Sequence, residues 1–162
     1  MIVRRENMRV THNEQFAKYL NGKHKIIYIL GAANGLRVSD VVQLRKDRIT
    51  MNRPTIKEQK SGKSKRLYIP AAIRADLKQY AEQSPNEYVF YSTKSKTGHI
   101  TRQAVWGAFK RAAKRANITV NIGTHTMRKN YAQKWYGKAH NLKKLKSKLN
   151  HSNESDSVLY LL

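Results

Sequence analysis

The chain has no cysteine, which excludes disulfides, thiolate metal sites and a thiol nucleophile. It is also short of acid, with 10 Asp and Glu against 33 Lys and Arg and a formal charge of +23. Those few carboxylates are scattered. Nothing matches the clustered acids that hold a hard cation such as Mg²⁺ beside a phosphate, so a two-metal nuclease is disfavoured and neither a metal nor a cofactor is expected. Long apolar runs are missing as well: the longest aliphatic stretch, Ile26 to Leu30, falls far short of the roughly 18 residues of a membrane-spanning helix. The charged segment from Met1 to Arg9 lacks the apolar centre of a secretion signal. There is no internal repeat and no low-complexity segment. A cytosolic protein fits these absences best.

What is present is positive charge. An excess of this size concentrates polyanions near the surface and releases counterions when phosphates are bound, so nucleic acid is the favoured partner and an anionic membrane surface the alternative. At 162 residues the chain has the length of one ordinary domain with a single core. A phosphoryl-transfer enzyme of this composition, lacking acids for a metal, must draw its positive charge from Arg, Lys and His.

Periodicity predicts a mainly α domain with a small antiparallel β-hairpin, an α+β class. A basic leader covers residues 1–11. A first helix from His12 to Asn21 carries Phe16, Tyr19 and Leu20 at helical spacing. The segment from Lys25 to Ala33 is apolar on nearly all sides, as a central buried helix would be, and Asn34-Gly35 supplies a left-handed stop. Ser39 can cap a helix from Asp40 to Leu44, leaving Arg37 in the joint. Residues 54–59 and 66–70 resemble short strands flanking a basic tip, Lys60 to Lys65. An amphipathic helix from Ala71 to Gln83 follows, then a buried strand from Tyr88 to Tyr91. Thr101 caps a helix to about Ala116, with Val105, Trp106 and Phe109 inward and a basic face including Lys110 and Lys114. That face is suited to a DNA backbone, although a solvated exterior is the default.

Chemistry gathers in the last third. Thr124 caps a helix on which His125 and Arg128, three residues apart, share a side while Met127, Tyr131 and Trp135 turn inward. His151 stands nine residues before Tyr160. One continuous helix would put these two on opposite sides at about 100° per residue, but Ser152-Asn153-Glu154-Ser155 is a capping sequence, so a break and a new short helix are expected to bring Tyr160 back. A tyrosine near the end of a basic chain, with His and Arg converging on one anion, suggests a nucleophile that attacks phosphate.

These segments resemble, in order, the boxes of the tyrosine recombinases, the phage-integrase family. Gly35-Leu36-Arg37-Val38-Ser39-Asp40 is similar to the first box. Lys60-Ser61-Gly62-Lys63 followed by Leu67-Tyr68-Ile69-Pro70 resembles the lysine-bearing hairpin, His125-Thr126-Met127-Arg128 the His-x-x-Arg box, and Leu149-Asn150-His151 the Leu-Gly-His element. Tyr160 falls where the nucleophile is found. The resemblance runs from about residue 12 to the end and implies a tyrosine recombinase catalytic domain over 12–162. It implies site-specific cleavage and rejoining of double-stranded DNA at an attachment or recombination site, through a 3′-phosphotyrosyl intermediate, in a bacterial or phage-encoded protein that acts as a tetramer on DNA. Tyr160 would attack the phosphodiester, Arg37 and Arg128 would bind its non-bridging oxygens, His151 would add a further hydrogen bond, Lys60 would protonate the leaving 5′-oxygen and His125 would help deprotonate Tyr160. Asp40 would brace the fold. Lys63, Lys65, Arg66, Arg102, Lys110 and Lys114 are the candidate DNA contacts. Family members carry an N-terminal domain that closes around DNA, and its absence here suggests a catalytic fragment or a reduced member. With no tail helix beyond Tyr160, weak DNA binding and a monomeric isolated domain are expected.

The sequence departs from the pattern at Asn150, where the family has Gly; Asn tolerates the same left-handed geometry. Lys63 stays open beside Lys60 as the general acid. Two other functions also stay open: DNA relaxation by a type IB topoisomerase-like enzyme, and a non-catalytic basic nucleic-acid-binding module.

Overall fold

The computed structural model describes residues 15–50, 52–123 and 125–161. Residues 15–18 are helical, with Phe16 and Leu20 buried; the basic leader and the start of the expected first helix lie outside the described residues. Helix α1 (Gly22–Asn34) takes the centre because its sequence is apolar on nearly every side, and Ile26, Ile27, Tyr28 and Leu30 are all buried. The rings of Phe16, Tyr28 and Phe109 meet edge to face at 5.0 to 5.6 Å. They join α1 to α5 (Arg102–Arg115), which starts where Thr101 Oγ1 accepts a hydrogen bond from the Ala104 N–H at 3.1 Å.

The stop after α1 is the left-handed residue expected there: Gly35 has φ 66° and its N–H bonds to the Gly31 carbonyl. Helix α1 packs chiefly on α6 (Thr126–Ala139), and two glycines set how closely. A Cβ on Gly31 would lie 2.5 Å from the Met127 sulfur, and one on Gly35 would lie 2.4 Å from the Tyr131 ring.

Helix α2 (Val38–Val41) starts earlier than the sequence suggested. Arg37 occupies its cap position without a side-chain bond, and Ser39 lies inside the first turn instead of capping it. The reason is burial: Val38 is driven into the core, so the chain must turn helical immediately after Arg37. A short α3 (Lys46–Ile49) leads to the hairpin. Strands β1 (Thr55–Lys57) and β2 (Ser64–Arg66) pair antiparallel, with Thr55 opposite Arg66, Ile56 opposite Lys65 and Lys57 opposite Ser64. The ladder closes sooner than expected because residues 58–63 bond to one another. Glu58 N–H reaches the Lys63 carbonyl at 2.9 Å and Gly62 N–H the Glu58 carbonyl at 2.8 Å, with Gly62 at φ 67°. Ser64 and Lys65 therefore belong to β2 and not to the tip, Arg66 stays in the strand as expected, and Leu67 to Pro70 lie beyond the ladder.

Asn34 completes the hairpin's attachment. Its amide accepts from Tyr68 N–H at 2.8 Å and donates to the Tyr68 carbonyl at 2.8 Å, so the last side chain of α1 behaves like a neighbouring strand. A 3₁₀ turn (Ala71–Ile73) enters α4 (Arg74–Gln83). Val89 and Phe90 are buried as expected, but Tyr88 to Tyr91 makes only isolated bridges, Arg45 with Tyr88 and Tyr91 with His99, and no sheet. On α5, Val105 and Phe109 face inward, whereas Trp106 is 49% exposed. One residue past Val105 is a turn of about 100°, off the buried stripe, and the Lys110 ammonium sits 5.5 Å over the indole.

The expected break near the C-terminus is present. Helix α7 (Leu142–Leu149) ends at Asn150, left-handed at φ 52°, and α8 (Glu154–Leu159) begins where Asn153 Oδ1 accepts from Asp156 N–H at 2.9 Å. Met127 joins the main core. Tyr131, Trp135 and Leu142 instead pack with Ala132, Leu145, Leu149 and Tyr160 in a smaller cluster that holds the C-terminal tyrosine against α6 and α7. Among the described residues no helix is long and apolar enough to cross a membrane.

Gly35→Ala should lower the thermal midpoint by more than 4 °C: left-handed alanine costs about 1–2 kcal/mol, worth roughly 2–4 °C per kcal/mol at this size, and the Tyr131 clash adds to it. Gly62→Ala, equally left-handed but with nothing near its Cβ, should show the smaller shift alone. Melting followed by circular dichroism compares the two.

Candidate active site

Arg128 is the centre of the site. It projects from the first turn of α6, where Thr126 Oγ1 accepts from Gly123 N–H at 2.8 Å; the expected cap, Thr124, lies outside the described residues. The Arg128 side chain is wholly buried. One terminal nitrogen donates to the Gly35 carbonyl at 2.7 Å and the other to the Leu149 carbonyl. These two bonds draw the glycine turn after α1 and the end of α7 to one point. Burial, with the Arg37 charge nearby, presses the guanidinium below its ordinary pKa. Tyr160 stands over it, its ring 5.7 Å from the guanidinium carbon.

The Tyr160 hydroxyl lies 3.2 Å from Nδ1 of His125. Its ring lies beside the His151 imidazole, with centroids 5.0 Å apart. His151 is held by Ser157, whose Oγ is 2.9 Å from Nδ1 and which is fully buried. Both histidines are kept neutral near pH 7. His151 is pushed down to about 4, by burial first and then by Arg128; His125 is lowered by burial and then by the Arg128 and Arg37 charges. A lone pair on His125 is thus available beside the phenol.

Arg37 approaches from the α1–α2 joint and pairs loosely with Glu58, 4.0 Å away. Lys60 is exposed in the hairpin turn, and its charge is among those that lower His151. The turn is braced from below: Asp40 Oδ1 accepts from Gln59 N–H at 2.9 Å, in keeping with its expected bracing part. Arg37, His125, Arg128, His151 and Tyr160 are therefore one constellation, with the Lys60 turn at its edge. Among the described residues no group of His, Asp or Glu is arranged to hold a metal.

The candidate DNA contacts divide. Lys63, Arg66, Arg102, Lys110 and Lys114 are exposed, and the Arg102 charge is felt at His125. Lys65 differs, because its place opposite Ile56 turns it inward. Its ammonium donates to the Asn34 carbonyl at 2.8 Å and the Lys148 carbonyl at 3.2 Å, and burial lowers its pKa. It ties the hairpin to the ends of α1 and α7. Sequence reading missed Glu58 and Ser157. A lone acid in a basic hairpin was the available signal for Glu58; Ser157 carried none, since its partner is set by how α8 folds back.

The profile of the phage integrase family matches residues 7–161. The chain belongs to the phage integrase family. It is 28% identical over 153 residues to the probable integrase/recombinase YoeC of Bacillus subtilis, covering 91% of this chain and 83% of that one. To a tyrosine recombinase of Thermosipho africanus it is 32% identical over 130 residues, covering 78% of this chain and 45% of that one. Among solved structures, the XerH site-specific recombinase bound to difH superposes with TM-score 0.80 at 19% identity, over 96% of this chain and 49% of that one. A lambda integrase tetramer on a Holliday junction superposes with TM-score 0.75 at 16% identity, over 99% and 49%. The fold is that of tyrosine recombinase catalytic domains, and apart from YoeC the chain spans about half the length of these relatives.

The lowered His151 pKa fixes a sign for stability. Protonation favours the unfolded chain, whose histidine has the ordinary 6.5, over a folded state near 4. Stability at and above pH 7 should fall as pH drops from about 6.5 through 4. His151→Gln should flatten that part of a midpoint-against-pH curve relative to wild type.

Proposed function

We propose that this chain is the catalytic part, residues 12–162, of a cytoplasmic site-specific recombinase that acts on double-stranded DNA and assembles as a tetramer there. The observation that carries the reading is the Tyr160 hydroxyl within 3.2 Å of a neutral His125 and against Arg128. Tyr160 Oη attacks the scissile phosphorus, and the phenol proton passes to His125 Nδ1. The phosphorus–5′-oxygen bond breaks, leaving a 3′-phosphotyrosyl bond, and Lys60 supplies the proton for the leaving oxygen. Attack by a 5′-hydroxyl from another strand reverses every step. No ATP is consumed, since the covalent bond conserves the energy of the phosphodiester.

Charge on the non-bridging oxygens is met by Arg37, whose planar donor fork suits a phosphate, and by the positive charge of Arg128 beneath it, whose terminal nitrogens are already bonded to the Gly35 and Leu149 carbonyls. With Ser157 donating to Nδ1, the His151 Nε2–H is left to add a further bond. Lys60 is favoured over Lys63 because its charge reaches His151. Lys65 has an internal role, and the exposed Lys63, Arg66, Arg102, Lys110 and Lys114 remain for backbone phosphates. In DNA-bound XerH and lambda integrase the same fold lies on nucleic acid, which supports this partner.

On a pool of nicked duplexes with randomised arms in EDTA, wild type should give a covalent protein–DNA band on a denaturing gel. Tyr160→Phe should give none while still retarding DNA on a native gel. An adduct that survives the change removes Tyr160 from the role, and salt-sensitive binding without any adduct would leave a binding module. The rate of adduct formation should be level around pH 7 and fall only below 6.5, because His125 must be unprotonated and its pKa lies under that value; His125→Ala should be slow at every pH.

A further inference from the structure

Glu58 is a carboxylate buried completely inside the most basic part of the molecule, and the mechanism above does not use it. Its Oε2 accepts from Asn150 Nδ2 at 2.8 Å and from Ser61 Oγ at 3.3 Å, and faces Arg37 at 4.0 Å. Its Oε1 is buried with no partner among the described residues. Enclosing a carboxylate with an oxygen unpaired is unfavourable, so fold stability alone does not explain its presence. Its partners do. Ser61 follows Lys60 and Asn150 precedes His151, so one oxygen bridges the lysine turn and the histidine segment.

Asn150 gains a second meaning from this bridge. It is left-handed at φ 52°, as the glycine of the Leu-Gly-His element would be, but a glycine has no amide to offer Glu58. The two residues, a buried acid in the hairpin and an amide in the turn, answer each other across 92 residues of sequence.

Resting on the strand-transfer reading above, we propose that Glu58 is a positioning residue. With Asn150 it forms a clip that seats the hairpin turn against His151 and aims Lys60 at the leaving 5′-oxygen. Among the described residues the turn itself is otherwise held by Gln59 N–H on Asp40 and by the bonds within residues 58–63, while Lys65 on β2 ties the hairpin's ladder to the Lys148 carbonyl; the clip is the contact that runs from the turn to Asn150, beside His151. The opposing possibility is that Glu58 acts only through its charge on Arg37.

The test uses the full chain and the nicked duplexes on which wild type forms its adduct, made with either an ordinary 5′-oxygen or a bridging 5′-sulfur at the scissile phosphate. A thiolate leaves without a proton, so the sulfur DNA bypasses Lys60. Glu58→Ala and Asn150→Gly should each slow cleavage of the oxygen DNA about 10- to 100-fold, the scale of a misplaced general acid. The double variant should be no slower than either single, as for residues acting as a unit. On the sulfur DNA both should return to within about 3-fold of wild type, as Lys60→Ala does when loss of the general acid is the whole defect. Glu58→Gln, which keeps an acceptor for Asn150, should recover most of the rate on oxygen DNA.

A deficit that persists on sulfur DNA, additive effects of the two changes, or a Glu58→Gln as slow as Glu58→Ala would each overturn the clip and favour the charge on Arg37. Unchanged rates in Asn150→Gly, where glycine keeps the turn and folding is not at risk, would overturn it as well. A wild-type chain that forms no adduct on either DNA overturns the strand-transfer reading itself, which separates the two failures.

Discussion

The burial of one guanidinium governs this structure. Arg128 has no exposure to solvent and donates to the Gly35 and Leu149 carbonyls, so the turn that ends α1 and the turn that ends α7 must come to it. A buried cation without such partners would be strongly unfavourable. Satisfying it therefore fixes where Arg37, two residues past Gly35, and His151, two residues past Leu149, can lie. The glycines serve the same constraint, since α6 reaches the α1 turn only because Gly31 and Gly35 present no Cβ to Met127 and Tyr131.

From that anchor the electrostatics follow. Burial lowers the pKa of His125, His151, Arg128 and Lys65 alike, and the neighbouring guanidinium charges of Arg37 and Arg128 push the same way. The histidines respond by staying neutral, which leaves an unprotonated imidazole beside the Tyr160 hydroxyl in a strongly cationic site. Two buried acids, Asp40 and Glu58, temper the cluster, and both are attached to the lysine turn. Burial raises the pKa of Asp40 while the Gln59 N–H opposes the rise. Stability and the proposed chemistry thus draw on the same few groups, and the smaller C-terminal cluster that includes Tyr160 makes the proposed nucleophile part of the fold that carries its neighbours.

Much of this was legible in the chain. The helix over Ile26 to Leu30, the glycine stop, the Thr101 cap and the break before α8 follow from apolar spacing, from a residue able to adopt positive φ and from side chains that cap a first turn. All of these act within a few residues. The order of Arg37, Lys60, His125, Arg128, His151 and Tyr160 was equally readable, because each sits in a short local pattern. The hairpin was misjudged by two residues, since hydrogen bonds inside the 58–63 turn decided where pairing began. Trp106 was misjudged because an aromatic at the edge of an apolar stripe can turn either way until its neighbours are known.

By itself, then, the sequence determined most of the helices, the glycine stop after α1, the Thr101 cap and the residue types on which the proposed chemistry draws, all of them consequences of spacing along one segment. Only the tertiary structure decided that Lys65 turns inward while Lys60 stays out, that Ser157 holds His151, that Tyr160 returns to His125 of its own chain, and that Glu58 meets Asn150. Each of these joins residues brought together by folding, through bonds of about 3 Å whose geometry no local pattern encodes. A shift of one residue in the hairpin register would have turned Lys65 outward, and that register follows from the bonds inside the 58–63 glycine turn.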